Sequence, residues 1–99
     1  MAGSEPGYLL SPLARSDLED IWRYTFEKWS PDQADRYHGV IMTAILALAD
    51  GSISGSPTNV REGYFKLRAG SHILFYRIAG TDLEIMRILH QRMDVDRHL

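Results

Sequence analysis

The sequence predicts an α+β fold of element order β-α-α-β-β-β, in which a helical hairpin packs on one face of a small antiparallel sheet. Two observations carry this prediction. Apolar residues recur every three or four positions in the first half and about every second position in the second half, with a Ser-, Gly- and Pro-rich segment between them. A chain of 99 residues also has enough apolar surface for only one core. We therefore expect a single domain over residues 7–99.

The N-terminal end is predicted to hold a leader and a short strand. Residues 1–6 are small, polar and without pattern, which predicts a disordered leader. Tyr8 to Leu10 is an apolar run too short for a helix, and it predicts a strand at the edge of the sheet. Ser11 as N-cap and Pro12 at the first helical position then predict the start of a helix.

Two helices follow, joined almost without a linker. In the first, which extends to Trp29, apolar residues at three- and four-residue spacing form one face. Ser30 and Gln33 form a capping box that predicts the start of the second helix, and Gly51 predicts its end. Helices connected so tightly are expected to pack antiparallel as a hairpin.

Three strands are predicted after a loop at Ser52 to Asn59. They are Val60 to Leu67, Ile73 to Ile78 and Leu83 to Leu89, and short Gly-containing turns between them are typical of an antiparallel meander. The middle strand is the most continuously apolar, which predicts a central position in the sheet. The last strand is apolar at both parities, so the pattern leaves open which of its faces is exposed. Met93 to Leu99 predicts a polar tail.

Composition excludes several classes of protein. The chain has no cysteine, so neither disulfides nor a cysteine-based zinc site can form. Residues 1–7 have neither a positive charge nor an apolar run, so we expect no signal peptide, and no apolar run approaches the roughly 20 residues of a membrane-spanning helix. We therefore expect a cytoplasmic protein without membrane contact. The net charge of −2 is unevenly distributed, because residues 1–50 carry four basic and eight acidic side chains and residues 51–99 carry seven and five.

The motifs of nucleotide-dependent and hydrolytic enzymes are missing from the sequence. There is no Gly-rich phosphate loop, no G-x-S-x-G and no H-E-x-x-H. The four His residues do not have a spacing that would put three metal ligands on one element. We therefore expect neither a metal site nor a cofactor.

A set of basic residues in the second half forms the candidate functional site. Arginine is suited to bidentate contact with carboxylate or phosphate, and an imidazole beside it can transfer a proton. The candidates are Arg68, Arg77, Arg87, His90 and Arg92. In the alternative interpretation, Arg87 and His90 are structural and bond to the chain termini and to the acidic side chains of Glu62, Glu84 and Asp94.

Four segments carry a resemblance to a known family. They are L-S-P-x-A-x-x-D-L-x-x-I-W at Leu10 to Trp22, then Tyr64 to Arg68, Ile73 to Arg77, and Arg87 to Asp94. In this order they resemble ParE toxins of the RelE/ParE superfamily, the stable partners in type II toxin-antitoxin pairs. The resemblance implies a β-α-α-β-β-β fold, a cytoplasmic location, a hetero-oligomer with a ParD-type antitoxin, and inhibition of DNA gyrase that blocks replication.

The relatives named for RelE are instead ribonucleases that cut mRNA on the ribosome. The resemblance to them implies basic residues on the sheet and a catalytic side chain, most often a Tyr, near the C-terminus. Arg68 and Arg92 fall where the basic residues would lie, but no Tyr follows Tyr76, and the tail has His98 instead. We therefore expect a non-enzymatic toxin that binds gyrase through its basic C-terminal half, without sequence-specific nucleic-acid binding. The alternative is a ribosome-dependent mRNA endonuclease.

The helical hairpin has more large aromatic residues than its own core needs. Antitoxin segments that fold on binding lay a helix into a groove or add a strand to a sheet, and exposed aromatic side chains can anchor them. The candidate anchors are Trp22, Phe26, Trp29 and Tyr37. In the alternative interpretation these side chains pack on Phe65, Phe75 and Tyr76, and for Trp22 we favour this packing.

Overall fold

The computed structural model describes residues 7–99, so the predicted leader lies outside the described part. In chain order the elements are β1 (Tyr8–Leu10), α1 (Pro12–Lys28), α2 (Pro31–Ala49), β2 (Ser56–Pro57), β3 (Phe65–Ala69), β4 (His72–Ala79), β5 (Asp82–His90) and α3 (Val95–His98). The strands form one sheet in the order β1-β5-β4-β3-β2. The predicted α+β class is confirmed.

The two long helices begin at the residues that the sequence predicts, and α1 ends at Lys28, one residue before the predicted end at Trp29. The Ser11 hydroxyl accepts a backbone N–H of the first turn of α1 at 3.0 Å and donates to the Met86 carbonyl of β5 at 2.7 Å. In α2, Ser30 Oγ accepts the Gln33 N–H at 3.1 Å. Gly51 follows α2 with a φ of 82°, a conformation that favours glycine. Ser11 therefore both caps α1 and joins it to the sheet.

The sheet is mixed, which corrects the prediction of an antiparallel one. β1 pairs in parallel with β5, with Tyr8 opposite Leu83, and the other neighbouring strands pair antiparallel. The Ser11 N–H continues the parallel ladder by donating to the Ile85 carbonyl at 2.9 Å. The hydrogen bonds at the start of α1 thus help to keep β1 parallel to β5. The predicted edge position of the first strand and the predicted central position of β4 are both confirmed.

The strand predicted to start at Val60 starts instead at Phe65. A turn occupies the intervening residues, since the Tyr64 N–H donates to the Arg61 carbonyl at 3.2 Å and Gly63 has a φ of 83°. A left-handed glycine ends extended pairing on this side of the strand. The apolar character of Val60 was therefore misleading.

Two short elements lie in segments that were predicted to be irregular. The loop at Ser52 to Asn59 contains β2, which pairs with the first two residues of β3. The tail at Met93 to Leu99 contains α3, for which the Asp94 carboxylate caps the first turn by accepting a backbone N–H at 3.1 Å. Elements of two to four residues are shorter than the window in which a hydrophobic period can be read.

A bulge in β5 decides which of its side chains face the helices. Met86 is an extra residue between two cross-strand pairs, Tyr76 with Ile85 and Phe75 with Arg87. The alternation of faces therefore changes phase at Met86, so that Ile85 faces the helices and Arg87 faces away from them. This phase change explains why β5 is apolar at both parities in the sequence.

The hydrophobic core lies between the helical hairpin and one face of the sheet. Its buried members are Ala14, Leu18, Ile21, Ile41, Ile45, Leu48, Ala69, Leu74, Tyr76, Leu83, Ile85 and Ile88. The buried hydroxyl of Thr25 is satisfied, because it donates to a carbonyl one turn earlier in α1 at 2.8 Å. We call the opposite side of the sheet, which faces away from α1 and α2, the open face.

Candidate functional site

The open face carries most of the basic residues predicted as the site. The strand register puts on it Lys66 and Arg68 from β3, Ile73, Phe75 and Arg77 from β4, and Glu84, Arg87 and Leu89 from β5. Side chains alternate between the two faces of a strand, and the Leu74 side chain on the opposite parity is buried in the core. Three of the five predicted residues, Arg68, Arg77 and Arg87, therefore start from one face of the sheet, although the Arg87 guanidinium reaches round to α1.

Two cations on this face are free to contact a partner. Lys66 and Arg68 are exposed, and within residues 7–99 no carboxylate lies within 4.0 Å of either one. The Arg68 Nε–H donates to the Gly70 carbonyl in the turn between β3 and β4, at 3.0 Å. That bond leaves the terminal guanidinium nitrogens of Arg68 available. Arg77, in contrast, donates from Nε to Glu84 Oε1 at 2.7 Å on the neighbouring strand.

Arg87 is held by the fold and is not free for a partner. Its Nε and Nη2 donate to the two carboxylate oxygens of Asp17 in α1, both at 2.8 Å. The same carboxylate accepts the Ile88 N–H at 2.9 Å, and Arg87 Nη1 donates to the His98 carbonyl at 3.0 Å. The hydrogen bond with Asp17 raises the pKa of Arg87 above its ordinary value. Arg87 is therefore engaged within the fold, as the structural interpretation expects, but its acid is Asp17 and not one of the three acids expected from the sequence.

His90 faces the helical side of the sheet, so it is separated from the arginines of the open face. It pairs across the strands with His72, and the two rings meet edge to face with centroids 5.3 Å apart. His90 Nδ1 accepts the backbone N–H of Arg92 at 3.1 Å. Arg92 itself is exposed in the turn after β5. The predicted cluster of Arg87, His90 and Arg92 is therefore not assembled as one site.

The aromatic residues of α1 form an exposed patch. The Trp22 and Phe26 rings stack with centroids 5.1 Å apart and are 37% and 43% exposed. Trp22 Nε1 donates to Asp35 Oδ1 at 3.1 Å, so a hydrogen bond connects the patch to α2. Trp22 and Asp35 also line a cleft of about 550 Å³. The expected packing of Trp22 in the core is wrong, because buried Leu18 and Ile21 already fill the face of α1 that meets the sheet.

Trp29 and Tyr37 line a different cleft, of about 480 Å³, between the hairpin and the ends of β4 and β5. Trp29 is 74% exposed at the junction of the two helices. Tyr37 is half-buried, and its hydroxyl lies 2.6 Å from His72 Nδ1 and accepts the Ser71 N–H at 2.8 Å. The four predicted aromatic anchors thus do not form one surface, because Trp22 lines the first cleft whereas Trp29 and Tyr37 line the second, and Tyr37 is engaged within the fold.

Comparison with known proteins decides the family. The chain matches the family described as ParE toxin of type II toxin-antitoxin system, parDE, over residues 8–95. The protein belongs to the ParE toxin family. It is 49% identical over 94 residues to toxin ParE1 of Mycobacterium tuberculosis, which covers 93% of this chain and 96% of that protein. It is 41% identical over 93 residues to toxin ParE1 of Caulobacter vibrioides, with the same coverage of both proteins.

The fold of this ParE-family toxin is also found in a solved structure. A chain of the chromosomal ParDE system from P. aeruginosa superposes with a TM-score of 0.75 at 19% identity, over 85% of this chain and 94% of that one. Within residues 7–99, no helix is long and apolar enough to cross a membrane, and no three His, Cys, Asp or Glu side chains are grouped as metal ligands.

Sequence reasoning missed three residues that organise the surfaces of this toxin. Asp17 holds Arg87 across 70 positions of sequence, and His72 bonds to Tyr37 across 35. Local hydrophobic periodicity carries no signal for contacts between residues so far apart in the sequence. Lys66 could have been predicted from the sequence, because it lies two positions before Arg68 in the strand and therefore shares its face.

Proposed function

We propose that this toxin inhibits DNA gyrase by binding it through the open face, without catalysis, in the cytoplasm, and that a ParD-type antitoxin neutralises it. The observation that carries the proposal is the pair of exposed cations Lys66 and Arg68, which have no acidic partner within 4.0 Å among residues 7–99. Unpaired cations on a folded surface favour a partner that presents negative charge and accelerate its encounter.

A non-catalytic mode of action is supported by the groups that surround these cations. Proton transfer at neutral pH needs a side chain such as His within hydrogen-bond reach of the reacting group. His90 lies on the opposite side of the sheet, and Glu84 is paired with Arg77. The open face therefore offers exposed positive charge, which suits binding better than acid–base chemistry.

The antitoxin is proposed to contact the patch of Trp22 and Phe26. Stacked aromatic rings beside a cleft provide large contact area at a small cost in side-chain entropy. The cleft next to them contains the aliphatic side chains of Leu10 and Leu18 together with charges of both signs. An amphipathic helix that presents apolar residues on one face would fit such a groove. The solved relative comes from a ParDE system, which agrees with an antitoxin as the partner.

The experiment combines purified toxin, gyrase and plasmid DNA, with translating ribosomes in a parallel reaction. We expect cleaved DNA to accumulate with gyrase and mRNA to stay intact, and we expect added ParD-type antitoxin to abolish DNA cleavage. An intact plasmid together with cleaved mRNA would contradict the proposal.

A ribosome-dependent mRNA endonuclease is the second candidate, because one contact favours it. The bond from Arg87 to the His98 carbonyl brings the end of α3 beside a residue of the open face. His98 is half-buried there, and its imidazole could act as the acid. In that case His98→Ala would abolish mRNA cleavage, whereas in the gyrase mechanism the same variant would leave DNA cleavage nearly unchanged.

A further inference from the structure

The Tyr37 hydroxyl is the meeting point of α2 and the turn between β3 and β4. It accepts the Ser71 N–H at 2.8 Å, lies 2.6 Å from His72 Nδ1, and has the Ala69 carbonyl at 3.5 Å. One side-chain oxygen therefore contacts three of the four residues at positions 69–72. A turn joined to a helix in this way has fewer conformations available to it than a turn held by backbone bonds alone.

The ring of Tyr37 also fixes the fourth residue of this turn. Gly70 has a φ of 63°, and a methyl group on it would come within 2.7 Å of the Tyr37 ring. Only glycine accepts both the left-handed conformation and the close approach of the ring. Tyr37 thus contacts the residues on both sides of Gly70 and lies against Gly70 itself, which restricts the orientations open to the Gly70 carbonyl.

The Gly70 carbonyl in turn holds Arg68. It accepts the Arg68 Nε–H at 3.0 Å, which orients the guanidinium plane at the end of the open face. Arg68 has five N–H donors in a rigid fork, so the orientation of the plane decides which groups of a partner it can meet.

We propose that Tyr37 is a positioning residue, whose hydroxyl fixes the β3–β4 turn and thereby orients the Arg68 guanidinium for contact with the target. This inference rests on the proposed function for its biological readout. Tyr37, which lies on the helical side of the sheet, thus acts on the open face through the backbone of a single turn.

The first test is a double-mutant cycle of Tyr37→Phe and Arg68→Ala, measured as the toxin concentration that gives half-maximal gyrase-dependent DNA cleavage. We expect Tyr37→Phe to raise this concentration about fivefold to tenfold when Arg68 is present, and to have no effect in the Arg68→Ala background. An equal loss in both backgrounds, or no loss in either, would overturn the proposal. Tyr24→Phe is the matched control, since the Tyr24 side chain on α1 is 61% exposed.

The second test does not depend on gyrase. Exchange of the Arg68 Nε–H with water, measured by NMR, should be slow in the wild type and in Tyr24→Phe, and faster in Tyr37→Phe. Gly70→Ala, which displaces the turn while keeping the hydroxyl, should speed this exchange as well. Unchanged exchange in Tyr37→Phe would refute the positioning role, even if wild-type toxin acts on gyrase. If exchange is faster in Tyr37→Phe but wild-type toxin has no effect on gyrase, the proposed function is contradicted, whereas the structural role of Tyr37 is supported.

Discussion

The helical hairpin and the open face of the sheet differ in the chemistry that they present. The hairpin belongs to the acidic half of the chain, with eight acidic against four basic side chains, and it exposes the aromatic rings of Trp22, Phe26 and Trp29. The open face presents Lys66 and Arg68 of β3 beside β4, on which Phe75 is buried. Two surfaces of opposite character on one small core would let a toxin meet two partners without a shared contact residue. The net charge of −2 conceals this division.

Within residues 7–99, one ion pair joins the two regions. The Asp17 and Arg87 side chains are only 13% and 15% exposed, and their bidentate contact fastens α1 to β5 and to the end of α3. Breaking this pair is therefore the most disruptive single change that the comparison suggests.

Asp17→Ala should cost about 3 to 5 kcal/mol in the free energy of unfolding, because it leaves the charge of Arg87 buried without its partner. Urea unfolding would measure the loss. The matched control is Asp20→Ala, since the Asp20 side chain is 69% exposed and pairs only with Arg23 at 3.4 Å; the stability of that variant should be nearly unchanged. Equal stability of Asp17→Ala and the wild type would show that the two regions do not need this junction.

The aromatic patch should carry the antitoxin contact. Trp22→Ala should weaken the affinity for a ParD-type antitoxin by about 2 kcal/mol, roughly 30-fold in Kd, if the ring is an anchor. Calorimetric titration measures the affinity, and the control variant Tyr24→Ala removes an exposed ring that lines the other cleft, the one that contains Trp29 and Tyr37. A larger loss for Tyr24→Ala than for Trp22→Ala would assign the antitoxin to the other cleft.

The sequence predicts the elements well where local signals suffice. Ser11, Ser30 and Gly51 mark helix ends through caps and a left-handed glycine, and the structure confirms each one. The sequence could not predict which side chains of β5 lie on each face of the sheet, because the bulge at Met86 shifts their alternation. The role of Arg87 could not be predicted either, since Asp17 lies 70 positions away.

A pH titration would sharpen the view of the interface between hairpin and sheet. His72 faces Tyr37 of α2 and His90 of β5, with Asp17 of α1 also acting on it, and burial is the main cause that lowers its pKa to about 4 from 6.5. The unfolded chain therefore binds more protons between these values, so the free energy of unfolding should fall as pH drops from about 6.5 to about 4. Above pH 6.5 this contribution is constant.

The control for this titration is a second histidine. His72→Gln should remove that part of the pH dependence, and His38→Gln, on α2 away from this interface, should keep it. Unfolding curves at a series of pH values provide the measurement. An identical pH profile for His72→Gln and the wild type would mean that His72 is not held neutral by its surroundings.

Arg77→Ala should have the smallest effect. Its guanidinium is 47% exposed and is paired with Glu84, and exposed ion pairs contribute little to stability. We expect an unfolding midpoint close to that of the wild type and a smaller loss of DNA cleavage than for Arg68→Ala. A larger loss for Arg77→Ala would move the centre of the target contact from β3 to β4.

The most direct test of the division between the two surfaces is gyrase-dependent DNA cleavage by two double variants that remove the same charge. Lys66→Ala with Arg68→Ala removes two exposed cations of the open face, and Lys28→Ala with Arg36→Ala removes two of the four basic side chains of the hairpin. We predict that the first pair raises the toxin concentration needed for half-maximal cleavage by at least about tenfold, and that the second pair leaves it unchanged. A loss confined to the hairpin variant would contradict the assignment of the target to the open face.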